Sequence, residues 1–207
     1  MSFHRPLLLS VALLAGLFTT ACQIVPEAKH DLTRFFVLED PGATMGSVGS
    51  NPDGATLGLL GIRLPVYLAD SRAMAISSAS QEIEFRDFER WAEPLDEGIE
   101  RVLQSALGRA VSVARVLTLP FGADVNREYD VQVDVIDCEG FNSGSSQSVQ
   151  FACEYSIMDL DGELVAHGIY AANPAIWNGT PGGLARLLSA AIVESAAVIA
   201  DSIPAAE

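Results

Sequence analysis

An alternation of side-chain character between residues 129 and 157 constrains this chain more than any other feature of it. Tyr129, Val131, Val133 and Val135 recur at every second position, and Val149, Phe151, Cys153, Tyr155 and Ile157 do so again. Successive side chains of a strand point to opposite faces, so a period of two lays each set along one face of a sheet. The polar run at 142–147 between the two sets predicts a hairpin. Val111–Leu119 and Leu164–Ala171 are further β-type segments, and the Asp-Gly pair within 159–163 predicts a tight turn joining the last two strands. Consecutive hairpins imply mostly antiparallel pairing.

The first half of the chain reads less regularly. Phe35–Leu38 is a short apolar run expected to form the first strand, Leu57–Leu64 a second strand closed by Pro65, and Met74–Phe85 a hairpin. Between them, residues 40–56 gather Gly, Pro, Ser, Asn and Asp without periodicity, which predicts a loop. Pro94 opens the clearest helix, because proline fits a first helical turn where its missing N–H has no partner to lose. Leu95, Ile99, Val102, Leu103, Ala106 and Leu107 then draw one apolar stripe, and Gly108 ends it. Acidic residues at 93, 96 and 97 suit the positive end of that helix.

A final helix is expected from about 178–183 onward, with Leu184, Leu187, Leu188, Ala191, Ile192, Ser195, Val198 and Ile199 on one face. Its other side is rich in alanine, so a second cover is expected there, and self-association into a homo-oligomer is one way to supply it. The fold class that emerges is mixed α/β of the α+β kind. It is a mainly antiparallel, mixed sheet of about five to six strands with two main helices packed on it.

The chain has 207 residues, enough for one sizeable core. Acidic residues outnumber basic ones by 27 to 12, giving a formal charge of −15. A nucleic-acid backbone or an anionic membrane surface would need clustered cations that this sequence lacks, so nucleic acid is excluded as a partner and any lipid contact must be apolar or covalent. Three cysteines are too few for a disulfide scaffold, and their spacing at 22, 138 and 153 fits no zinc pattern. No metal or cofactor is expected.

His4 and Arg5 precede an apolar run, Leu7–Phe18, whose length suits a signal-peptide core and falls short of a bilayer span. Thr19-Thr20-Ala21-Cys22 resembles the bacterial lipobox, in which the cysteine becomes the first mature residue and is acylated; Thr19 stands where that pattern prefers leucine. Each buried methylene contributes about 0.8 kcal/mol, so two or three acyl chains together would anchor the protein firmly to a membrane without spanning it. Gln23, rather than aspartate, follows the cysteine, which in lipoproteins of this kind implies passage to the outer membrane. The expected organisation is a leader at 1–21, a tether at 22–34, a single domain at 35–203 and a tail at 204–207.

Catalysis finds no positive support. The mature chain offers only His30, in the tether, and His167, in a strand beside Gly168. There is no G-x-S-x-G elbow, since 140–144 places its serine one position late, and no phosphate-binding glycine motif. The glycine-rich 178–183 stretch reads as a loop and helix cap. The remaining cysteines suggest a bridge: if the strands on either side of 142–147 pair so that Cys138 faces Cys153, their Cβ atoms come within about 4.5–5.5 Å. An oxidising exported compartment favours it. Cys138 is out of phase with Val131, Val133 and Val135, so the bridge also requires a bulge.

At residues 64–107, "LPVYLADSRAMAISSASQEIEFRDFERWAEPLDEGIERVLQSAL", a strand ending in Pro-x-Tyr-Leu, a polar hairpin and Trp-Ala-x-Pro-Leu opening a helix follow in order. Pro65, Tyr67, Leu68, Trp91, Ala92, Pro94 and Leu95 carry the pattern, which resembles the PqiC-like family of ABC-type transport auxiliary lipoproteins. The resemblance implies a non-catalytic lipoprotein of the Gram-negative outer membrane, facing the periplasm. Its implied partners are an MCE-domain protein and ABC transporter components of a lipid transport system. Tyr67 and Trp91 are candidates for an interface with such a partner, but packing is the favoured reading, Trp91 as a staple over the helix start and Tyr67 as a cap on the strand end. A periplasmic lipid-binding carrier that shields an acyl chain is the alternative.

Overall fold

The computed structural model describes residues 30–43, 51–122 and 125–204; Cys22 and the leader lie outside the described residues. The chain divides into a short unit, Met1–Leu32, and a folded unit that begins at Thr33. Among the described residues the folded unit has nine strands: β1 (Arg34–Phe36), β2 (Ala55–Arg63), β3 (Ala73–Ser78), β4 (Ile83–Trp91), β5 (Val113–Thr118), β6 (Tyr129–Asn142), β7 (Gln147–Met158), β8 (Leu164–Ala171) and β9 (Ala175–Ile176). Three helices accompany them, α1 (Val66–Ala69), α2 (Leu95–Leu107) and α3 (Pro181–Asp201).

Strand β6 is the axis of the sheet. Along one edge it pairs antiparallel with β7 through most of its length. Its other edge is shared: Tyr129–Asp134 pairs parallel with β2, and Gly140–Asn142 pairs parallel with β3. The sheet therefore runs β1-β4-β3-β6-β2-β5, with β7 branching from β6 and carrying β8 and β9. Four of the eight pairings are parallel, β1/β4, β2/β5, β2/β6 and β3/β6. The expected antiparallel hairpins β3/β4, β6/β7 and β7/β8 are all present. The sheet is nonetheless larger than five to six strands, and more evenly mixed, because β6 recruits β2 and β3 from far earlier in the chain. Such long-range pairings leave no mark in local periodicity.

Helix α2 forms as its stripe dictates, with Leu95, Gly98, Ile99, Val102, Leu103, Ala106 and Leu107 all buried and Asp96 and Glu97 in the first turn. Helix α3 starts at a proline behind an accepting cap, the Thr180 Oγ1 receiving the Gly183 N–H at 3.2 Å. It packs on β6 and β7 and also against α2, β1 and β8, which buries Ala185, Ala196 and Ala200 and leaves Ala197 exposed. The helix is long and apolar enough to cross a membrane, and more than half of that apolar stretch is buried in the domain. Leu57, Leu59, Ile99, Leu103, Leu188 and Ile192 fill the space between sheet and helices with no exposed surface or almost none.

A bulge at Ile136 divides β6. Val135 opposes Cys153, but Asp137 opposes Ala152 and Cys138 opposes Phe151. The extra residue restores the phase, so that Cys138 turns to the same buried face as Val131, Val133 and Val135. Gly140 lies on that face under the Trp177 ring, where an added Cβ would stand 2.7 Å from the ring.

Candidate interaction site

The residues singled out in the sequence fall into three places. Trp91 ends β4, opposite Phe36 on β1, and is 3% exposed. Its backbone N–H donates to Arg72 O at 2.7 Å, and its ring is part of the core that receives Leu38 and Leu95. Packing is therefore what the structure assigns to Trp91, since an indole so enclosed has no face left for a partner.

Tyr67 sits in the single turn α1, which Pro65 starts and Asp70 closes, where the sequence predicts a strand end. Leu68 on the same turn is buried, while Val66 is 72% exposed. The Tyr67 hydroxyl donates to Glu139 Oε2 at 2.9 Å, and Glu139 is a carboxylate of β6 with only 4% of its surface exposed. Burial, then the bond to Glu139 and the nearby charges of Glu139 and Asp137, raise the phenol's pKa well above its ordinary value. The ring is half-buried and its polar end is taken up inside the protein, so Tyr67 clamps α1 to the sheet.

The two cysteines are free and buried. With Cys138 opposite Phe151 and Cys153 opposite Val135, they are diagonal neighbours on one face, and the expected bridge is not formed. The bulge that the bridge required is present, yet the register is shifted by two residues. Diagonal positions lie about 7–8 Å apart, beyond the reach of an unstrained disulfide. Burial pushes the Cys138 thiol far up its range, and pushes Cys153 up to about 11 against a lowering bond from Ser195. Thiols held protonated in this way are poor nucleophiles.

His167 lies on the opposite face of the sheet. Its Nε2 is 2.7 Å from Glu154 Oε1, both side chains being nearly half exposed. Ser156 is its register partner on β7, but the ring bonds the carboxylate instead of the hydroxyl. Base and nucleophile are not coupled as a hydrolytic site requires. At the start of α3 the Asn178 and Thr180 side chains occupy the loop's own N–H and hydroxyl groups, as a helix cap does. Among the described residues no cluster of three metal-ligating side chains occurs, and every buried side-chain nitrogen and oxygen has a hydrogen-bond partner.

Sequence reasoning missed one feature that organises the surface. Asp40, just after β1, accepts from Arg109 Nη2 at 2.9 Å and from Ser105 Oγ at 2.6 Å, and Arg109 Nη1 makes a further short contact. Burial raises the Asp40 pKa, but the bonds from Arg109, Ser105 and the Gly42 N–H outweigh it and hold the carboxyl below its ordinary value. This pair fixes the segment after β1 to the end of α2. Beside it, Phe35, Val37, Pro41, Ala185 and Arg186 border an open groove of about 490 Å³ between that segment and α3.

What the fold offers is thus a packed core and an outer surface of grooves and exposed apolar side chains. A search of curated proteins finds no match. Among solved structures, the fold is similar to that of an uncharacterized protein, at 17% identity and a TM-score of 0.66, covering 83% of this chain and 99% of the other. It is likewise similar to protein XCC0632 from Xanthomonas campestris, of the DUF330 family, at 13% identity and a TM-score of 0.65, covering 81% and 93%. A family model described as "ABC-type transport auxiliary lipoprotein component" matches residues 36–200, nearly the whole folded unit, and this chain belongs to that family.

Proposed function

We infer that this protein is a non-catalytic lipoprotein of the Gram-negative outer membrane. It is held on the periplasmic face through acylated Cys22 and docks a periplasm-spanning MCE-type protein of an ABC-type lipid transport system. The observation that carries this reading is the family match over residues 36–200, which takes in the helices up to the last residue of α3 and the whole sheet apart from the first two residues of β1. The lipobox-like Thr19–Cys22 supplies the anchor. The carrier alternative needs a hollow interior for an acyl chain, but Leu57, Leu59, Ile99 and Leu188 occupy that space.

Affinity purification of the tagged protein from solubilised membranes tests the reading. Recovery of an MCE-domain protein supports it, and recovery with no MCE or ABC component overturns it. Co-purification of stoichiometric phospholipid would favour the carrier instead.

A further inference from the structure

The first strand of the fold is also where the tether arrives. Twelve residue steps separate Cys22 from Arg34, at most roughly 40 Å of extended chain. Among the described residues, β1 pairs only with β4. Large apolar side chains are exposed there. Phe35 is 62% and Val37 41% exposed, and Phe88, two residues before the register partner of Phe35, is 53% exposed. Phe35 shares its face with Arg90, and Phe88 stands just before that register, where β4 is irregular between Phe85 and Arg90. Single exposed apolar residues need no explanation, but several together beside an anchor do.

The charges around them balance. Arg34 pairs with Glu89 at 2.7 Å, and Arg186 and Glu39 both border the neighbouring groove. The excess negative charge of a chain at −15 therefore lies elsewhere. An anionic leaflet repels the acidic parts of the protein and leaves this end as the one that can approach it. A short tether raises the effective concentration of the surface to the millimolar range, so even a weak apolar contact is populated.

We propose that the β1 edge is a membrane-contact face, with Phe35, Val37 and Phe88 seated among phospholipid headgroups and Arg186 beside the phosphates. The inference rests on the lipid-anchor reading.

The test uses the full lipidated protein in vesicles of phosphatidylethanolamine and phosphatidylglycerol with brominated acyl chains. Phe35→Cys, Phe88→Cys and, as a control, Leu160→Cys, exposed in the turn beyond the far end of β7, each carry an environment-sensitive fluorophore. The expected result is quenching at 35 and 88 about twofold or more above that at 160. Equal quenching at all three positions, in protein that still floats with the vesicles, overturns the contact face and leaves the anchor standing. Loss of flotation overturns the anchor and this inference with it. A blue-shifted emission at 35 without bromine quenching assigns the face to a protein or to a second copy, and also overturns the proposal.

Discussion

The Tyr67 hydroxyl donates a 2.9 Å hydrogen bond to Glu139, joining a one-turn helix to a nearly buried carboxylate on the central strand. This bond stabilises the fold and is not a poised functional group. Tyr67→Phe keeps the ring and removes the donor, so Glu139 is left enclosed without it. The expected cost is about 1–3 kcal/mol in chemical denaturation. Partner recovery from membranes should be unchanged at temperatures where the variant is folded. Loss of the partner with wild-type stability would return Tyr67 to the interface.

Trp91→Ala removes a core indole and should cost about 3–5 kcal/mol. Thermal unfolding followed by circular dichroism reads this directly. An unchanged melting temperature together with lost partner binding would contradict the packing assignment.

Cys138 and Cys153 should behave as two protected thiols. Mass spectrometry of non-reduced protein is expected to find no mass loss from a bridge. Iodoacetamide at pH 7 to 8 should leave both unmodified in the folded protein and modify both in denaturant, because burial keeps the thiols protonated and inaccessible. After cleavage at Glu139, which lies between the two cysteines, a disulfide-linked pair of peptides carrying Cys138 and Cys153 would refute the register shift.

The Asp40–Arg109 pair gives the fold an acid-sensitive joint. A carboxyl whose folded pKa is lowered adds stability that is fully present above its unfolded pKa of about 3.9, and lost as pH falls through the lower folded value. Asp40→Asn should therefore destabilise at pH 7, and the gap from wild type should shrink as pH falls below about 4. A gap that stays constant between pH 7 and pH 3 would show that the charge of Asp40 contributes nothing.

Local signals in the sequence carry much of this fold. The helix Leu95–Leu107 ends where its stripe and Gly108 predict, and β8 matches the Leu164–Ala171 run residue for residue. The pattern within residues 64–107 is sufficient to point to the family. These features are readable because each is local: a helical stripe, a strand's alternation and a proline at a helix start depend on neighbours within about seven positions. The pairing of Cys138 escapes such a reading for a related reason, since one extra residue at Ile136 shifts everything beyond it and leaves no compositional trace.

The sequence by itself determined the two long helices and most of the strands, though not α1 or β9, together with the acidity of the chain and the family. Only the tertiary structure decided that β6 would divide one edge between β2 and β3, that α2 would pack against α3, and that Trp91 would be enclosed while Phe35 was left in the open. The physical reason is that side-chain pattern fixes which face of an element avoids water. Which distant element covers that face depends on packing and chain connection across the whole domain, and no window of sequence contains that information.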